Sequence, residues 1–92
     1  MKIYLAGRIT GTSDYHARFA RHANRLRLRG HSVYNPAAAN LEGLSRCRIM
    51  SHLLPILCEQ DAIAMIPGWW RSGGARIEWL LAKYLHKKII YL

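Results

Sequence analysis

The sequence predicts a small doubly wound α/β fold, of the Rossmann-like or flavodoxin-like kind, and three observations carry the prediction. Two short runs, KIYLA at 2–6 and AIAMI at 62–66, are apolar throughout, which reads as strands buried on both faces of a parallel sheet. Segments with three- and four-residue apolar spacing lie between the strand-like runs. At 92 residues, 51% hydrophobic and 21% charged, with no linker, repeat or low-complexity run, the chain reads as one packed unit over residues 1–92. Right-handed crossovers then favour strand order 2-1-3-4 with helices on both faces of the sheet.

Each element follows from a local signal. Lys2 to Ala6 is a strand that ends at the turn residue Gly7. From Ser13 to Arg29 the residues Tyr15, Phe19, Ala23 and Leu26 share one helix face. Ser13 or Asp14 caps that helix, and Gly30 stands where a helix end takes a left-handed residue. HSVY at 31–34 is a second strand stopped by Asn35-Pro36, and Pro36 to Gly43 is loop. Leu44 to Gln60 is helical, with Pro55 as a point of kinking. Asp61 opens a third strand that Pro67-Gly68 closes. Past the WWRSGG loop, Ala75 to His86 forms the last helix and Lys88 to Leu92 the last strand.

Several function classes drop out on composition. Cys47 and Cys58 are too few for a disulfide framework and lack paired metal-ligand spacing; both read as buried thiols on one helix face, in a reducing, cytoplasmic setting. The five histidines show no ligand spacing, so neither a metal nor a cofactor is expected. The N-terminal apolar run is shorter than a signal-peptide core, and no window reaches the ~18 apolar residues of a membrane span. The 14 Lys+Arg against 5 Asp+Glu give a net charge of +9, which attracts phosphates, whether free nucleotides or nucleic acid, or another acidic partner.

In a parallel sheet, ligands bind where the C-terminal ends of the strands meet the following loops. That rule points to Gly7-Arg8-Ile9-Thr10-Gly11, to Asn35-Pro36, and to the stretch from Gly68 to Ala75. Glycine lets backbone approach a ligand closely, and a helix start offers free N–H groups to an anion. Glu78 falls on the apolar face of the last helix when projected at about 100° per residue. A carboxylate turned to the core needs a reason. It either compensates the helix dipole or pairs with a buried arginine, or it is a nucleophile or acid–base group on a pocket floor. Asp61 is a turn residue or a second carboxylate near the site, and Tyr15 reads as a core-edge aromatic. Two adjacent loop indoles, Trp69-Trp70, are expected to cover a ligand base, a partner subunit or the pocket mouth. On the first helix Arg18, Arg21, Arg25 and Arg29 make a basic stripe that either tracks a nucleic-acid backbone or is a solvated face.

These residues resemble the nucleoside 2-deoxyribosyltransferase-like superfamily, in particular its short phage and bacterial branch. The resemblance runs in order through KIYLAGRITG, Tyr34-Asn35-Pro36, Cys58-Glu59-Gln60-Asp61, Pro67-Gly68-Trp69 and Ser72-Gly73-Gly74-Ala75 with Glu78. It implies cleavage or transfer of the N-glycosidic bond of deoxynucleosides or their monophosphates. Glu78, at the Gly-x-x-x-Glu spacing from Gly74, would then attack the anomeric carbon. By the same resemblance Asp61 would orient or protonate the leaving base, Tyr15 would hold the nucleophile, and Arg8, Ser72 and the Gly73 and Gly74 amides would take a 5′-phosphate. Gly7, Thr10, Gly11, Asn35, Gly68 and Trp69 complete the expected substrate contacts. Arg8 in place of the usual proline and Trp79 directly after the glutamate depart from the pattern.

Three functions are therefore carried forward: an N-glycosidase or deoxyribosyltransferase, a non-catalytic binder that sequesters a nucleotide, and a nucleic-acid-binding accessory protein. A homodimer or larger assembly is expected, because a chain of 92 residues does not easily wall a pocket and bury two loop tryptophans unaided.

Overall fold

The computed structural model describes residues 1–9, 14–39, 41 and 43–92. The order along the chain is β1 (Lys2–Ala6), α1 (Tyr15–Leu28), β2 (Ser32–Tyr34), α2 (Arg46–Cys58), β3 (Ala62–Met65), α3 (Gly73–Tyr84) and β4 (Lys88–Tyr91). Short 3-10 turns at Pro36–Ala38 and Trp69–Arg71 follow β2 and β3. All neighbouring strands pair in parallel, in the order β2-β1-β3-β4. This is the expected α/β fold.

The alternation of side chains along β1 divides the core in two. Ile3 and Leu5 point to one face, where Phe19, Ala23 and Leu26 of α1 cover them. Tyr4 and Ala6 point to the other, under Leu53 and Leu57 of α2 and Ala82 of α3. Helices therefore cover both faces, and β1 and β3, central in the sheet, are the buried strands. Burying each large apolar side chain contributes about 1.5–3 kcal/mol. Among the described residues no helix is long and apolar enough to cross a membrane.

The boundaries move by one or two residues, each for a local reason. Gly30 ends α1 in the left-handed conformation at φ 89°, as expected. Of the two candidate caps, Ser13 lies outside the described residues, and the Asp14 side chain does not cap but pairs with Arg18 at 3.1 Å. α3 begins two residues earlier than its apolar pattern, because the Ser72 hydroxyl accepts the Ala75 N–H at 3.2 Å and brings both glycines into the first turn. α2 runs through Pro55 and is capped by Ser45. Cys47 and Cys58 are exposed rather than buried. They do share a helix face, but it lies about 110° around α2 from the arc set by Leu53 and Leu57.

Candidate active site

The loops after β1, β2 and β3 and the first turns of α2 and α3 surround a cleft of about 700 Å³ at the C-terminal edge of the sheet. Glu78, on the inward side of α3, is 5% exposed and is the only acidic residue among the described lining. The Tyr4 hydroxyl, fully buried on β1, donates a hydrogen bond to the Glu78 carboxylate. Tyr4 is itself held by stacking on Tyr34, its register neighbour on β2, with ring centroids 5.6 Å apart.

Burial raises the pKa of Glu78 to about 7 from an ordinary 4.5, and the Tyr4 hydrogen bond opposes the rise. Near neutrality the group therefore exchanges readily between acid and carboxylate. Tyr4 moves far up, first through burial and then through the charge of Glu78, so it stays a donor at every accessible pH.

The walls divide by chemistry. Ile49, Met50 and Leu53 give α2 an apolar side, while Arg8, Arg46 and Arg71 come from three separate segments. Among the described residues the one ion pair is Arg18 with Asp14, so Arg46 and Arg71 face the cleft with no carboxylate partner there. Tyr15 and His16 line the side formed by α1, their rings 4.1 Å apart. A shallower depression of about 430 Å³, bordered by Ala39 and Arg48 among others, holds no acidic residue among its described lining.

Of the residues expected at the site, Gly7, Arg8, Tyr15, Ser72, Gly73, Gly74 and Glu78 are brought together. Thr10 and Gly11 lie outside the described residues. Three expected contacts do not line the cleft. The Asn35 side chain accepts the Ala37 N–H at 3.0 Å and sets the turn whose residues do line it. Gly68, at φ 91°, turns the chain after β3. Trp69 turns away and stacks on Trp79 at 5.3 Å and near Tyr91 at 6.4 Å, so the two indoles do not close the mouth. Trp79 is half-buried in that cluster under the Lys83 ammonium.

Asp61 is not at the site. It precedes β3, at the sheet edge opposite the cleft, where it accepts the Lys2 N–H at 2.9 Å. Tyr15 shares the cleft, but the tyrosine bonded to Glu78 is Tyr4. The basic stripe is also divided. Arg21, Arg25 and Arg29 are exposed, whereas Arg18 donates to the Arg8 carbonyl at 2.6 Å and buttresses the loop after β1.

Sequence comparison gives this arrangement a family. A family described as Domain of unknown function (DUF4406) matches residues 1–91. The chain belongs to that family. No curated protein matches the sequence.

Proposed function

We propose that the protein cleaves the N-glycosidic bond of a nucleoside 5′-monophosphate, with Glu78 as nucleophile. The observation that carries the reading is one carboxylate, alone among the described lining residues, buried in a cationic cleft and held by a buried tyrosine. The resemblance to nucleoside 2-deoxyribosyltransferase-like proteins supports it through the Gly74-to-Glu78 spacing.

The chemistry suits these groups. As the bond between the anomeric carbon and the base nitrogen breaks, positive charge develops on the sugar, and an adjacent carboxylate stabilises that charge and then captures the carbon. The base leaves after taking a proton from water or from His16 on the cleft wall. Water, or a second base, then displaces Glu78 and returns it as a carboxylate. Tyr4 acts as a positioning residue: its hydroxyl holds one carboxylate oxygen and leaves the other for attack. Arg46, Arg71 and the first-turn amides of α3 bind the phosphate, and the apolar side of α2 receives the base.

Glu78→Gln tests the reading. The amide keeps the shape but is a far poorer nucleophile toward an anomeric carbon, so base release is expected to fall on the order of 10³-fold or more with nucleotide binding retained. Turnover near wild type would remove Glu78 as nucleophile. A wild-type protein that binds a nucleotide and releases no base would instead establish the sequestering function.

A further inference from the structure

The cleft chemistry makes no use of Trp69 and Trp70, which join Trp79 and Tyr91 in a cluster between α3 and β4. Ile89 and Tyr91 alternate with Ile90 along the edge strand β4, so they point to the face of the sheet that α3 covers. Trp69 is central, with ring centroids of Trp79, Trp70 and Tyr91 at 5.3, 6.2 and 6.4 Å. The Trp79 Nε1 donates to the Tyr91 hydroxyl at 3.0 Å and so fixes the tyrosine ring. Trp70 meets Trp69 at 81° instead of stacking on it. Rings held in this way are ordinarily covered, yet Trp70 is 55% and Tyr91 59% exposed. Cations border them. Arg76, Trp79 and Lys83 follow at three- and four-residue spacing along one outer row of α3, and both charged residues are exposed. Across residues 62–92 the one acidic side chain is the buried Glu78, and among the described residues neither cation has an acidic partner.

We propose that this surface binds single-stranded nucleic acid, with Trp70 and Tyr91 stacking on bases and Arg76 and Lys83 taking the phosphates. Exposed rings beside unpaired cations match the two parts of a nucleotide, and a strand repeats both. The strand is single because a duplex keeps its base faces inside the helix, out of reach of a protein ring. The fixed Tyr91 ring is ready to stack without reordering, which lowers the cost of binding. The other basic surface lacks the rings. Arg21, Arg25 and Arg29 are exposed on α1, across the sheet from α3, and no tryptophan or exposed tyrosine accompanies them there. They supply charge without a stacking partner. A second copy of the chain would bring its own +9 against the same cations. An anionic lipid surface offers charge but no ring faces, and it is the competing outcome in the test.

The inference does not use Glu78 and is independent of the glycosidic chemistry. Fluorescence anisotropy at low salt compares a labelled oligothymidylate of about ten nucleotides with an abasic strand of the same length and charge. The oligothymidylate is expected to bind about tenfold more tightly or better. Trp70→Ala should weaken it by about tenfold and leave the abasic strand as it was, while Trp70→Phe, which keeps a ring, should restore most of the binding. Arg76→Gln combined with Lys83→Gln should flatten the salt dependence for both strands. Changing Arg21, Arg25 and Arg29 together to alanine should affect the two strands alike. Equal binding of the two strands overturns the proposal, as does a Trp70→Ala protein that binds oligothymidylate like the wild type. Displacement by stoichiometric thymidine 5′-monophosphate would put the strand in the cleft and also overturn it. Binding to phosphatidylglycerol vesicles without binding to the strand would assign the surface to lipid instead.

Discussion

Glu78 and Tyr4 form one device, and each depends on the other. The carboxyl is buried, so its charged form is disfavoured, and the hydroxyl is the partner that makes the charge tolerable. Tyr4→Phe removes that partner and raises the pKa of Glu78 further. If the carboxylate is the reacting form, wild-type base release rises with pH through about 7, and in Tyr4→Phe the rise moves to higher pH. A pH–rate profile of both proteins checks this, and an unmoved profile would take Tyr4 out of the site. Stability runs the other way. In the fold Glu78 keeps its proton up to about 7, but the unfolded chain releases it near 4.5, so the group's contribution is full below 4.5 and lost as pH rises through about 7. The loss is about 3 kcal/mol, and Glu78→Gln should not show it. Melting temperatures of the two proteins should therefore separate as pH rises through that window, the wild type falling relative to Glu78→Gln.

At the scale of elements, the turn after β1 sets the cleft's floor. A Cβ built on Gly7 would lie 3.0 Å from the Ile66 Cβ and 3.1 Å from the Phe19 ring, so β3 and α1 close on that turn from two sides. Neither neighbour is a flexible chain end. Gly7→Ala is expected to destabilise the fold by about 1–3 kcal/mol and to weaken nucleotide binding, as read by denaturant melts and titration. This turn also shows what the sequence made legible. The apolar runs marked β1 and β3, and the rule for parallel sheets then placed Gly7, Arg8 and the start of α3 at one edge. Glu78 stood out as a carboxylate where the helical period calls for an apolar residue. Tyr4 did not, because tyrosine is ordinary in an apolar strand and its partner is 74 residues away. Its signal was a hydroxyl in a wholly buried strand, which needs a partner. Asp61 had the opposite fault. Standing before a parallel strand, it belongs to the edge away from the ligand, and the same rule that found Glu78 excludes it.

For the whole molecule, the distribution of charge matters more than its sum. The chain carries +9, but exposed arginines on the outer face of α1 are solvated and screened, whereas Arg46 and Arg71 border a cleft whose one acidic residue among the described lining is buried and has its charged form disfavoured. Nothing in the sequence singles out Arg46, which lies in no glycine-rich loop. It reaches the cleft because α2, following β2, starts at the sheet's ligand edge. A phosphate dianion placed there meets positive charge without displacing an existing ion pair among the described residues. The expected ordering of ligands follows. A deoxynucleoside 5′-monophosphate should raise the melting temperature more than the matching nucleoside, and inorganic phosphate should do so weakly. At 100 times its Kd the nucleotide contributes about 2.7 kcal/mol. Replacing Arg46 and Arg71 together by alanine should erase the difference between nucleotide and nucleoside while leaving the fold intact, because both side chains lie on the cleft rather than in the core. If nucleoside and nucleotide stabilise the wild type equally, the arginines do not read a phosphate, and the nucleophile at Glu78 would act on an uncharged nucleoside.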